Sequence, residues 1–403
     1  MNSSTEGPVL VIGAAGCIGA QVVANLVRDG ATPVVFDIAE DRRRLHLVME
    51  GKAADAVTWI AGDIREPDLL KDVISEHKVA AIIHLAALQV PFCNADPVLG
   101  AQVNVVGQVN VFEAARALGI RGLAYASSVA ALPPEGEAWP STLYGAFKMA
   151  DEAIADVYWR TWQVASVGIR PHTVYGPGRD QGVTAAPTKA MLAAAAGRRF
   201  AIPFDGPIML QHTVEVADAF IRAARAGVAS TDFGGAHVCD LCGADTTIAE
   251  VVAAVRQTVP DARVRVDGDP LPFVSGLDDG ALRKLVGDWP RIDLATGVAQ
   301  TIGSFKDLLA RGLLDGDEAY RAPLGTGRHA TYDAYYREGS RATTFDKLRM
   351  RFERCGCCFT SENPATVTKR TIFKGGSPWR NKSNTFIGPM RRICGCPMPR
   401  PSR

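Results

Sequence analysis

The stretch VIGAAGCIG, residues 11–19, places three glycines between an apolar segment and an amphipathic one. Gly13, Gly16 and Gly19 would permit a tight turn, a close approach of the backbone to a pyrophosphate, and close packing of a helix on a strand. The N–H groups at the start of the following helix would then face the phosphates. The stretch therefore predicts a dinucleotide-binding turn.

Apolar segments alternate with helical patterns around this turn, along residues 8–128. Continuously apolar runs such as PVLVIG and AAIIHLAA indicate strands buried on both faces, as in a parallel sheet covered by helices. The alternation predicts an α/β fold with a doubly wound parallel sheet, the Rossmann fold. We expect an NAD-binding domain at 1–175, a mainly substrate-binding lobe with some sheet-completing elements at 176–315, and a disordered basic, cysteine-containing tail at 316–403.

The second strand, TPVVFD, ends at Asp37, 18 residues after Gly19. A carboxylate at this point can accept hydrogen bonds from the adenosine ribose and would repel a 2′-phosphate. NAD is therefore predicted as the cofactor in preference to NADP. The arginines at 42–44 follow closely, and we expect them at an exposed helix start.

Composition and charge narrow the class of protein. The chain has 403 residues, of which 47% are hydrophobic and 22% charged, as in globular proteins with a large core. The N-terminus has no secretory pattern and no apolar run is long enough for a membrane span, so we expect a cytoplasmic protein without a membrane partner. Residues 1–320 carry 27 Lys and Arg against 38 Asp and Glu, whereas the remainder carries 17 against 5. The basic tail could bind nucleic acid, but a disordered appendage is favoured.

The stretch STLYGAFKMADE, residues 141–152, sets Tyr144 four residues before Lys148, so that both would lie on one face of a helix. An ammonium beside a phenol lowers the pKa of the phenol, which could then exchange protons at neutral pH. Ser128 closes the strand GLAYASS and would present its hydroxyl at the carboxyl edge of the sheet, where ligands bind in such folds.

A strand-end serine followed by Y-x-x-x-K above a dinucleotide fold resembles the short-chain dehydrogenase/reductase superfamily. The spacing G-x-x-G-x-x-G, the GDI turn at 62–64, HLAA at 84–87, Asn104 and IRPHTVYGPG at 169–178 resemble its extended branch, the NAD-dependent epimerase/dehydratase family. The resemblance covers about residues 8–315.

The resemblance implies roles for particular residues. Tyr144 would be the general acid and base, Ser128 would hydrogen-bond the substrate oxygen, and Lys148 would hold the nicotinamide ribose. The implied cofactor-binding residues are Gly13, Gly16, Cys17, Ile18, Gly19, Asp37, Asp63, Ile64, Leu85, Ala86, Ala87, Asn104, Tyr144, Lys148 and Pro171. The residues expected near the substrate are Gln89, His172, Thr173 and Gln211.

A homodimer is also implied by the resemblance. The long helix near Asn104 and the helix of Tyr144 would pair across a two-fold axis. Val105, Val109 and Phe112 are the apolar residues expected to form this contact.

The sequence departs from the family pattern between Ser128 and Tyr144, which are separated by only 15 residues. This short loop would reshape the substrate pocket. Val129 and Ala130 follow Ser128 where sugar dehydratases have an Asp-Glu pair. The carboxylates for β-elimination are therefore missing, and dehydration is disfavoured.

The sequence also departs from the pattern of nucleotide-sugar epimerases. The positions of the Arg-Asp pair that helps to bind a substrate diphosphate are occupied by Ile208 and Met209, counted back from the segment EVADAF. Thr173 stands where an Asn usually precedes VYGPG. Four cations could substitute for the missing anchor, although exposed surface is the expected place for them: Arg179, Lys189, Arg198 and Arg199.

Metal chemistry is not predicted. Cys239 and Cys242 have the spacing of a zinc or redox pair, but no second pair lies nearby. His84 lies inside an apolar strand and is expected to be a packed histidine.

The predicted function is that of an NAD-dependent oxidoreductase acting on a carbohydrate-like hydroxyl or carbonyl group. One alternative is a nucleotide-sugar 4-epimerase similar to UDP-glucose 4-epimerase, which would use the same Tyr144 in a closed oxidation and reduction cycle. A second is a non-catalytic NAD-binding scaffold. Net formation of NADH would distinguish a dehydrogenase from an epimerase.

Overall fold

The computed structural model describes residues 7–230, 232–271, 274 and 276–317. The predicted tail at 316–403 lies outside the described residues, apart from 316 and 317. The strands are β1 (Val9–Ile12), β2 (Pro33–Asp37), β3 (Thr58–Ala61), β4 (Ala81–His84), β5 (Gly122–Ala126), β6 (Ser166–Arg170), β7 (Thr173–Tyr175), β8 (Arg199–Ile202), β9 (Pro207–His212), β10 (Ala236–Asp240), β11 (Ala244–Thr247) and β12 (Arg263–Val266).

The α-helices alternate with these strands over the first half of the described chain. They are α1 (Cys17–Arg28), α2 (Arg43–Val48), α3 (Gly51–Ala56), α4 (Pro67–Glu76), α5 (Val90–Ala95), α6 (Pro97–Ala101), α7 (Gly107–Leu118), α8 (Leu143–Trp162), α9 (Ala186–Ala195), α10 (Thr213–Ala229), α11 (Ile248–Thr258), α12 (Gly280–Val286) and α13 (Leu294–Ala310). A π-helical segment, Gln102–Val106, joins α6 to α7, so the long amphipathic stretch predicted from the sequence is one helical rod.

The large sheet has seven strands in the order β10-β6-β5-β4-β1-β2-β3, and all of them are parallel. The strand order reverses between β1 and β4, whose ends are paired as Ile12 and His84. Ligands bind at such a switch point, outside the carboxyl ends of the strands. The doubly wound Rossmann fold is therefore confirmed.

The alternation of side chains along β1 explains the two faces of this sheet. Val9 and Val11 pack with α1 and α10 on one face, whereas Leu10 and Ile12 pack with α4 and α7 on the other. All four side chains are at most 4% exposed. A strand buried on both faces must be apolar throughout, and this is the pattern that made the fold predictable.

Two smaller sheets lie in the part of the chain after β6. Strand β9 pairs with β7 in parallel and with β11 in antiparallel orientation, and β8 pairs with β12. A separate core cluster forms here around α9, α11 and α13. Strand β10 returns to the edge of the large sheet, as expected for a sheet-completing element. The domain boundaries themselves stay a prediction.

Two sequence-based expectations differ from the structure. Strand β5 ends at Ala126, so Ser128 lies two residues beyond the strand and begins the 3₁₀ helix Val129–Ala131. Phe112, expected at a dimer contact, is wholly buried against Tyr125 inside its own protomer. That part of the contact prediction is wrong, because a residue inside the core has no surface to offer a partner. Within the described residues, no helix has the length and apolar character that crossing a membrane requires.

Candidate active site

The glycine turn connects β1 to α1. Gly13 has a φ of +91°, which favours glycine, and a Cβ added to it would lie 2.5 Å from the Ala86 nitrogen. A Cβ on Gly19 would lie 2.3 Å from the Gly13 carbonyl oxygen. The N-cap of α1 is Gly16, which has no side chain to accept from the N–H groups in the first turn of the helix. The uncapped N–H groups and the bare backbone surface fit a pyrophosphate.

The first turn of α1 contains Cys17 and Ile18. Burial raises the pKa of the Cys17 thiol to about 11, although Arg179 and Arg44 act in the opposite direction. A thiol with so high a pKa stays protonated at neutral pH, and a protonated thiol is a poor nucleophile. Cys17 therefore fits a passive wall of the cofactor site.

Asp37 ends β2 next to the glycine turn. Its Oδ2 accepts from the Ala15 N–H at 2.8 Å, and its Oδ1 accepts from the Ile38 N–H at 2.8 Å. Burial raises the pKa of Asp37, whereas these two backbone hydrogen bonds oppose that change. The carboxylate is thus oriented at the point where the ribose of a dinucleotide would lie.

The three arginines near Asp37 are all bonded to acidic side chains. Arg42 pairs with Glu40, and Arg43 pairs with Asp41. All three were expected at an exposed helix start, but the side chains of Arg42 and Arg44 are only 17% and 15% exposed. The expectation fails for Arg42, which donates to the Ala54 carbonyl and stacks on the Trp59 ring, and for Arg44, whose partners lie on distant segments of the chain.

Arg44 bridges the two sides of the predicted cofactor cleft. Its Nη2 donates to both carboxylate oxygens of Asp180, at 2.7 and 2.9 Å. Its Nη1 donates to the Ala15 carbonyl at 2.6 Å, and its Nε donates to the Gly178 carbonyl at 3.1 Å. The loop after β7 is therefore fastened to the glycine turn.

Asp63 and Ile64 follow β3 at the same edge of the sheet. The Arg65 guanidinium pairs with Asp63, and this hydrogen bond lowers the pKa of the carboxyl group. Ile64 is 6% exposed, and its carbonyl accepts from the Asn110 amide at 2.9 Å. Both residues are held in place for the adenine contact that the resemblance implies.

The segment after β4, residues 85–87, lies beside the glycine turn. The Leu85 N–H donates to the Ile12 carbonyl at 2.8 Å. Asn104, in the π-helical segment, binds both backbone groups of Leu88: its Oδ1 accepts from the N–H at 2.7 Å and its Nδ2 donates to the carbonyl at 2.9 Å. Asn104 thus fixes the segment that would line the cofactor.

Tyr144 and Lys148 lie in the first two turns of α8, as predicted. The helix is capped by Thr142, whose Oγ1 accepts from the Gly145 N–H at 3.0 Å. A Cβ on Gly145 would lie 2.2 Å from the Ala130 carbonyl oxygen, so the helix start packs directly on the 3₁₀ turn that Ser128 begins. This packing brings the segments of Ser128 and Tyr144 together.

Lys148 is buried beneath Tyr144. Its Nζ lies 6.0 Å from the centre of the Tyr144 ring and donates to the Ala126 carbonyl at 2.7 Å. Nζ also donates to Asp151 Oδ2 at 3.2 Å, in an ion pair whose side chains are 3% and 0% exposed. An ammonium that is held by two fixed acceptors keeps one position and one charge state.

The protonation of this pair follows from burial and mutual attraction. Burial, the largest single influence, disfavours the charge on Lys148, but Asp151, Tyr144 and Cys93 together outweigh it and raise the pKa of the lysine. Burial raises the pKa of Asp151 to about 6, with Lys148 opposing it. His84, 2% exposed as the sequence predicted, has a pKa lowered to about 3, first by burial and then by the Lys148 charge.

A second charged group braces the same helix against the sheet. Arg170, at the end of β6, donates to both oxygens of Glu152 at 2.7 and 2.6 Å and lies 3.3 Å from Asp240. Ser127 Oγ donates to Glu152 Oε1 at 2.5 Å. This network fixes α8 relative to β5 and β6, and therefore also fixes Tyr144.

The residues expected near the substrate lie around β7 and β9. Pro171 follows β6, and its carbonyl accepts from the Val129 N–H at 3.1 Å. Thr173 is 1% exposed, and its Oγ1 lies 3.1 Å from His172 Nδ1. Burial lowers the pKa of His172 to about 4, so the imidazole is neutral at pH 7.

Gln211 is fully buried, and both ends of its amide are bonded within the protein. Its Oε1 accepts from the His172 N–H at 2.9 Å, and its Nε2 donates to the Leu241 carbonyl. A substrate contact at Gln211 would require one of these bonds to break. Gln89, by contrast, is the N-cap of α5, and its Oε1 lies close to Gly182. The substrate roles of these residues stay predictions.

Sequence reasoning missed Asp151 and the Arg44–Asp180 bridge. Asp151 was within reach, since it follows Lys148 by three residues on the same helix, a spacing at which opposite charges can pair. Arg44 and Asp180 are 136 residues apart. Such a pair has no signal in a single sequence.

Among the described residues, no group of three or more His, Cys, Asp or Glu side chains is arranged to hold a metal ion. The four cysteines in this part of the chain are free, and they include Cys239 and Cys242. The Cys242 Sγ donates to the Leu277 carbonyl at 3.2 Å.

Comparison with known proteins supports the motif-based resemblance. A profile of the NAD dependent epimerase/dehydratase family matches residues 9–235. A UDP-glucose 4-epimerase of Mycolicibacterium smegmatis is 33% identical over 319 residues, which cover 74% of this chain and 98% of the relative. A UDP-glucose 4-epimerase of Rhizobium leguminosarum bv. trifolii is 31% identical over 318 residues, which cover 71% of this chain and 94% of the relative.

Solved structures give the same result. The UDP-glucose 4-epimerase of Thermus thermophilus in complex with NAD has a TM-score of 0.61 at 25% identity, with 74% of this chain and 99% of that chain covered. A partial consensus L-threonine 3-dehydrogenase shares the fold, with a TM-score of 0.64 at 21% identity and coverage of 74% and 99%. The chain therefore belongs to the NAD-dependent epimerase/dehydratase family, and its cofactor is NAD.

Proposed function

We propose that the chain is an oxidoreductase that moves a hydride between NAD and a carbohydrate-like hydroxyl or carbonyl group. The observation that carries the proposal is the anchored Lys148 beneath Tyr144, at the carboxyl edge of the sheet. NAD, when bound, supplies the hydride acceptor or donor. The protein then has to position the reacting oxygen and move its proton.

Tyr144 is the proton carrier in this proposal, and Ser128 hydrogen-bonds the same substrate oxygen. Lys148 has three N–H donors, and Ala126 and Asp151 accept from two of the available directions. The third N–H group of Lys148 is available to donate to the nicotinamide ribose or to the Tyr144 hydroxyl. Proton transfer by a positioned side chain contributes about 10²- to 10⁴-fold to a rate.

The substrate in this proposal is a small polyol, sugar, sugar acid or related carbonyl compound. Ile208 and Met209, at the positions of the diphosphate-binding pair, lie on β9 and are 2% and 9% exposed. Two buried apolar side chains cannot satisfy phosphate oxygens. Without a charge-assisted hydrogen bond at this point, the affinity for a nucleotide sugar should fall by about 10- to 100-fold.

A 4-epimerase of nucleotide sugars is the second candidate. It is favoured by the two relatives named UDP-glucose 4-epimerase, which the chain matches over 98% and 94% of their lengths. An epimerase would need the same Tyr144 and the same NAD, so the catalytic residues do not separate the two candidates. The binding of the substrate diphosphate does.

We also propose a homodimer in the cytoplasm. The long helical rod exposes Val98 and Val106 by 67% and 46%, and α8 exposes Leu143 and Val157 by 40% and 45%. These apolar residues replace Phe112 as the expected contact. Light scattering at micromolar concentration tests the dimer, and Val157→Arg should shift it toward monomer. Free cysteines in the described residues suit a reducing compartment.

Calorimetry with UDP-glucose and the NAD-loaded protein tests the substrate class. The proposal predicts binding weaker than about 100 μM, the range left after a 100-fold loss from micromolar affinity. A matched variant, Met209→Arg, returns one cation to the site and should strengthen binding if the diphosphate lies there. Micromolar binding by the unaltered protein would make the epimerase the better candidate.

A further inference from the structure

Arg179 lies in the loop after β7, where exposed surface was expected from the sequence. Its Nη2 donates to Thr184 Oγ1 at 3.0 Å, whereas its Nε is enclosed without a hydrogen-bond acceptor. No ion pair joins Arg179 to an acidic side chain within the described part of the chain. The expectation of a solvated arginine is wrong, because the loop is folded back over the site by Arg44.

The surroundings of Arg179 are those of the cofactor site. The Cys17 Sγ, in the first turn of α1, lies 4.0 Å from the Pro177 carbonyl oxygen in the loop that carries Arg179, and the Arg179 charge acts on Cys17. A Cβ added to Gly182 would lie 3.3 Å from Arg179 Nη2 and 2.7 Å from Gln89 Oε1, so the two side chains converge on the same glycine. Arg179 thus belongs to a loop that contacts the first turn of the helix whose N-terminus fits a pyrophosphate.

Arg44 is a second arginine at the same loop, and the partners of its guanidinium group can be compared with those of Arg179. Both guanidinium groups act on Cys17, and both lie at the loop after β7. Arg44 has a bidentate carboxylate partner in Asp180, whereas Arg179 has a neutral hydroxyl. Burial lowers the pKa of Arg179, although Asp180 is among the groups that oppose this change, and the net lowering reflects the cost of withdrawing a cation from water without an ion-pair partner. Such a group is suited to an anion that arrives with a ligand.

We propose that Arg179, with Thr184 and Gln89 beside it, binds an oxyanion, and that this oxyanion is the pyrophosphate of NAD. The N–H groups of α1 would meet the pyrophosphate from one side and Arg179 would meet it from the other. The glycine turn and the loop after β7 would then be joined twice, by the Arg44–Asp180 bridge and through the cofactor. The inference depends on NAD as the cofactor and not on the substrate.

Calorimetry of NAD and of ADP-ribose with the full chain tests the assignment, using Arg179→Met, Arg179→Lys and the control Arg160→Met. Arg160 is a 66% exposed arginine on α8 that pairs with Asp156. Arg179→Met should raise the Kd of both ligands by about 10- to 100-fold, the value of a charge-assisted hydrogen bond. Arg179→Lys should lose less, and Arg160→Met should leave both Kd values unchanged.

A competition experiment gives a second readout that needs no turnover. Inorganic pyrophosphate should displace NADH, followed by its fluorescence, from the unaltered protein and from Arg160→Met, but far less from either Arg179 variant. If Arg179→Met does not fold, as judged by its thermal transition, Arg179→Lys carries the test.

Two results would overturn the assignment. One is a Kd of Arg179→Met for NAD within threefold of the unaltered protein. The other is unchanged NAD affinity together with weaker binding of D-gluconate or UDP to the NAD-loaded variant, which would move the oxyanion to the substrate. The absence of turnover with any sugar would contradict the proposed function and leave this inference intact.

Discussion

Lys148 and Arg179 are two cations of the candidate site, one buried and one half-buried, and the protein balances their charges differently. Lys148 donates to a backbone carbonyl and to the carboxylate of Asp151, so its charge is balanced by the protein. Arg179 has a hydroxyl and an enclosed, unbonded Nε. A cation that is paired with a carboxylate of the protein is fixed in position, whereas a cation without such a partner can pair with an anionic group of a ligand. The difference matches the two roles that we propose, proton transfer beside Lys148 and ligand binding at Arg179.

The largest effect, on kcat, is expected from removing the Tyr144 hydroxyl above Lys148. Tyr144→Phe keeps the ring but removes the hydroxyl, and should lower kcat by about 10²- to 10⁴-fold. NAD affinity should change little, since the ring still packs. Tyr158→Phe is the matched control, because Tyr158 lies on the same helix and its hydroxyl donates to Glu113 at 2.7 Å. Turnover of Tyr144→Phe within a few-fold of the unaltered protein would end this mechanism and favour a non-catalytic scaffold.

The second effect concerns stability, and it tests whether the buried ion pair of Lys148 and Asp151 stabilises the fold. Asp151→Asn leaves a buried ammonium without its counter-charge, and should lower the free energy of unfolding by about 3 kcal/mol. Asp156→Asn, on the same helix, breaks the exposed pair with Arg160 and should cost about 0.5 kcal/mol or less. Urea unfolding of both variants gives the comparison. Equal losses would mean that the buried pair holds no special place in the fold.

The sequence was sufficient for one half of the site but not for the other. Lys148 follows Tyr144 by one helical turn, and Asp37 follows a strand, so local periodicity placed both. Arg179 belongs to a loop without periodicity, and its burial depends on Arg44, far away in the chain. The amide of Gln211 was expected to face substrate, yet it bonds two backbone groups, which sequence polarity alone does not reveal. The boundaries of β5 and the burial of Phe112 likewise depended on packing.

The third effect is a pH dependence of stability that comes from His84, the neutral histidine near Lys148. His84 has a pKa lowered to about 3, so the folded protein excludes a proton that the unfolded chain binds below pH 6.5. The stability from neutral His84 is therefore complete above pH 6.5 and is lost as the pH falls toward 3. The difference in unfolding free energy between the unaltered protein and His84→Gln should rise by about 1.4 kcal/mol per pH unit between pH 4.5 and 6.5. Above pH 6.5 it should be constant. A difference that does not vary with pH would show that the fold does not lower the pKa of His84.

The smallest effect is the preference for NAD over NADP, which depends on the charged residues at the adenosine end of the cleft. Arg42, Arg43 and Arg44 are each paired with an acidic side chain, and Asp37, held by the Ala15 N–H, is the carboxylate predicted to meet the ribose. NAD should therefore bind at least about tenfold more tightly than NADP, since one ionic repulsion near the surface is of this order. Asp37→Ser should reduce the ratio. Tighter binding of NADP by the unaltered protein would mean that one of the arginines leaves its acid for the phosphate.

Net NADH formation decides between hydride transfer to free NAD and a closed epimerisation cycle. The NAD-loaded protein is supplied with polyols, sugars, sugar acids and UDP-glucose in turn, with excess NAD, and absorbance at the NADH band is followed beside product analysis. We predict NADH in stoichiometric amounts with a small substrate, none from Tyr144→Phe, and none with UDP-glucose. Conversion of UDP-glucose to its 4-epimer without accumulation of NADH would contradict the proposed function.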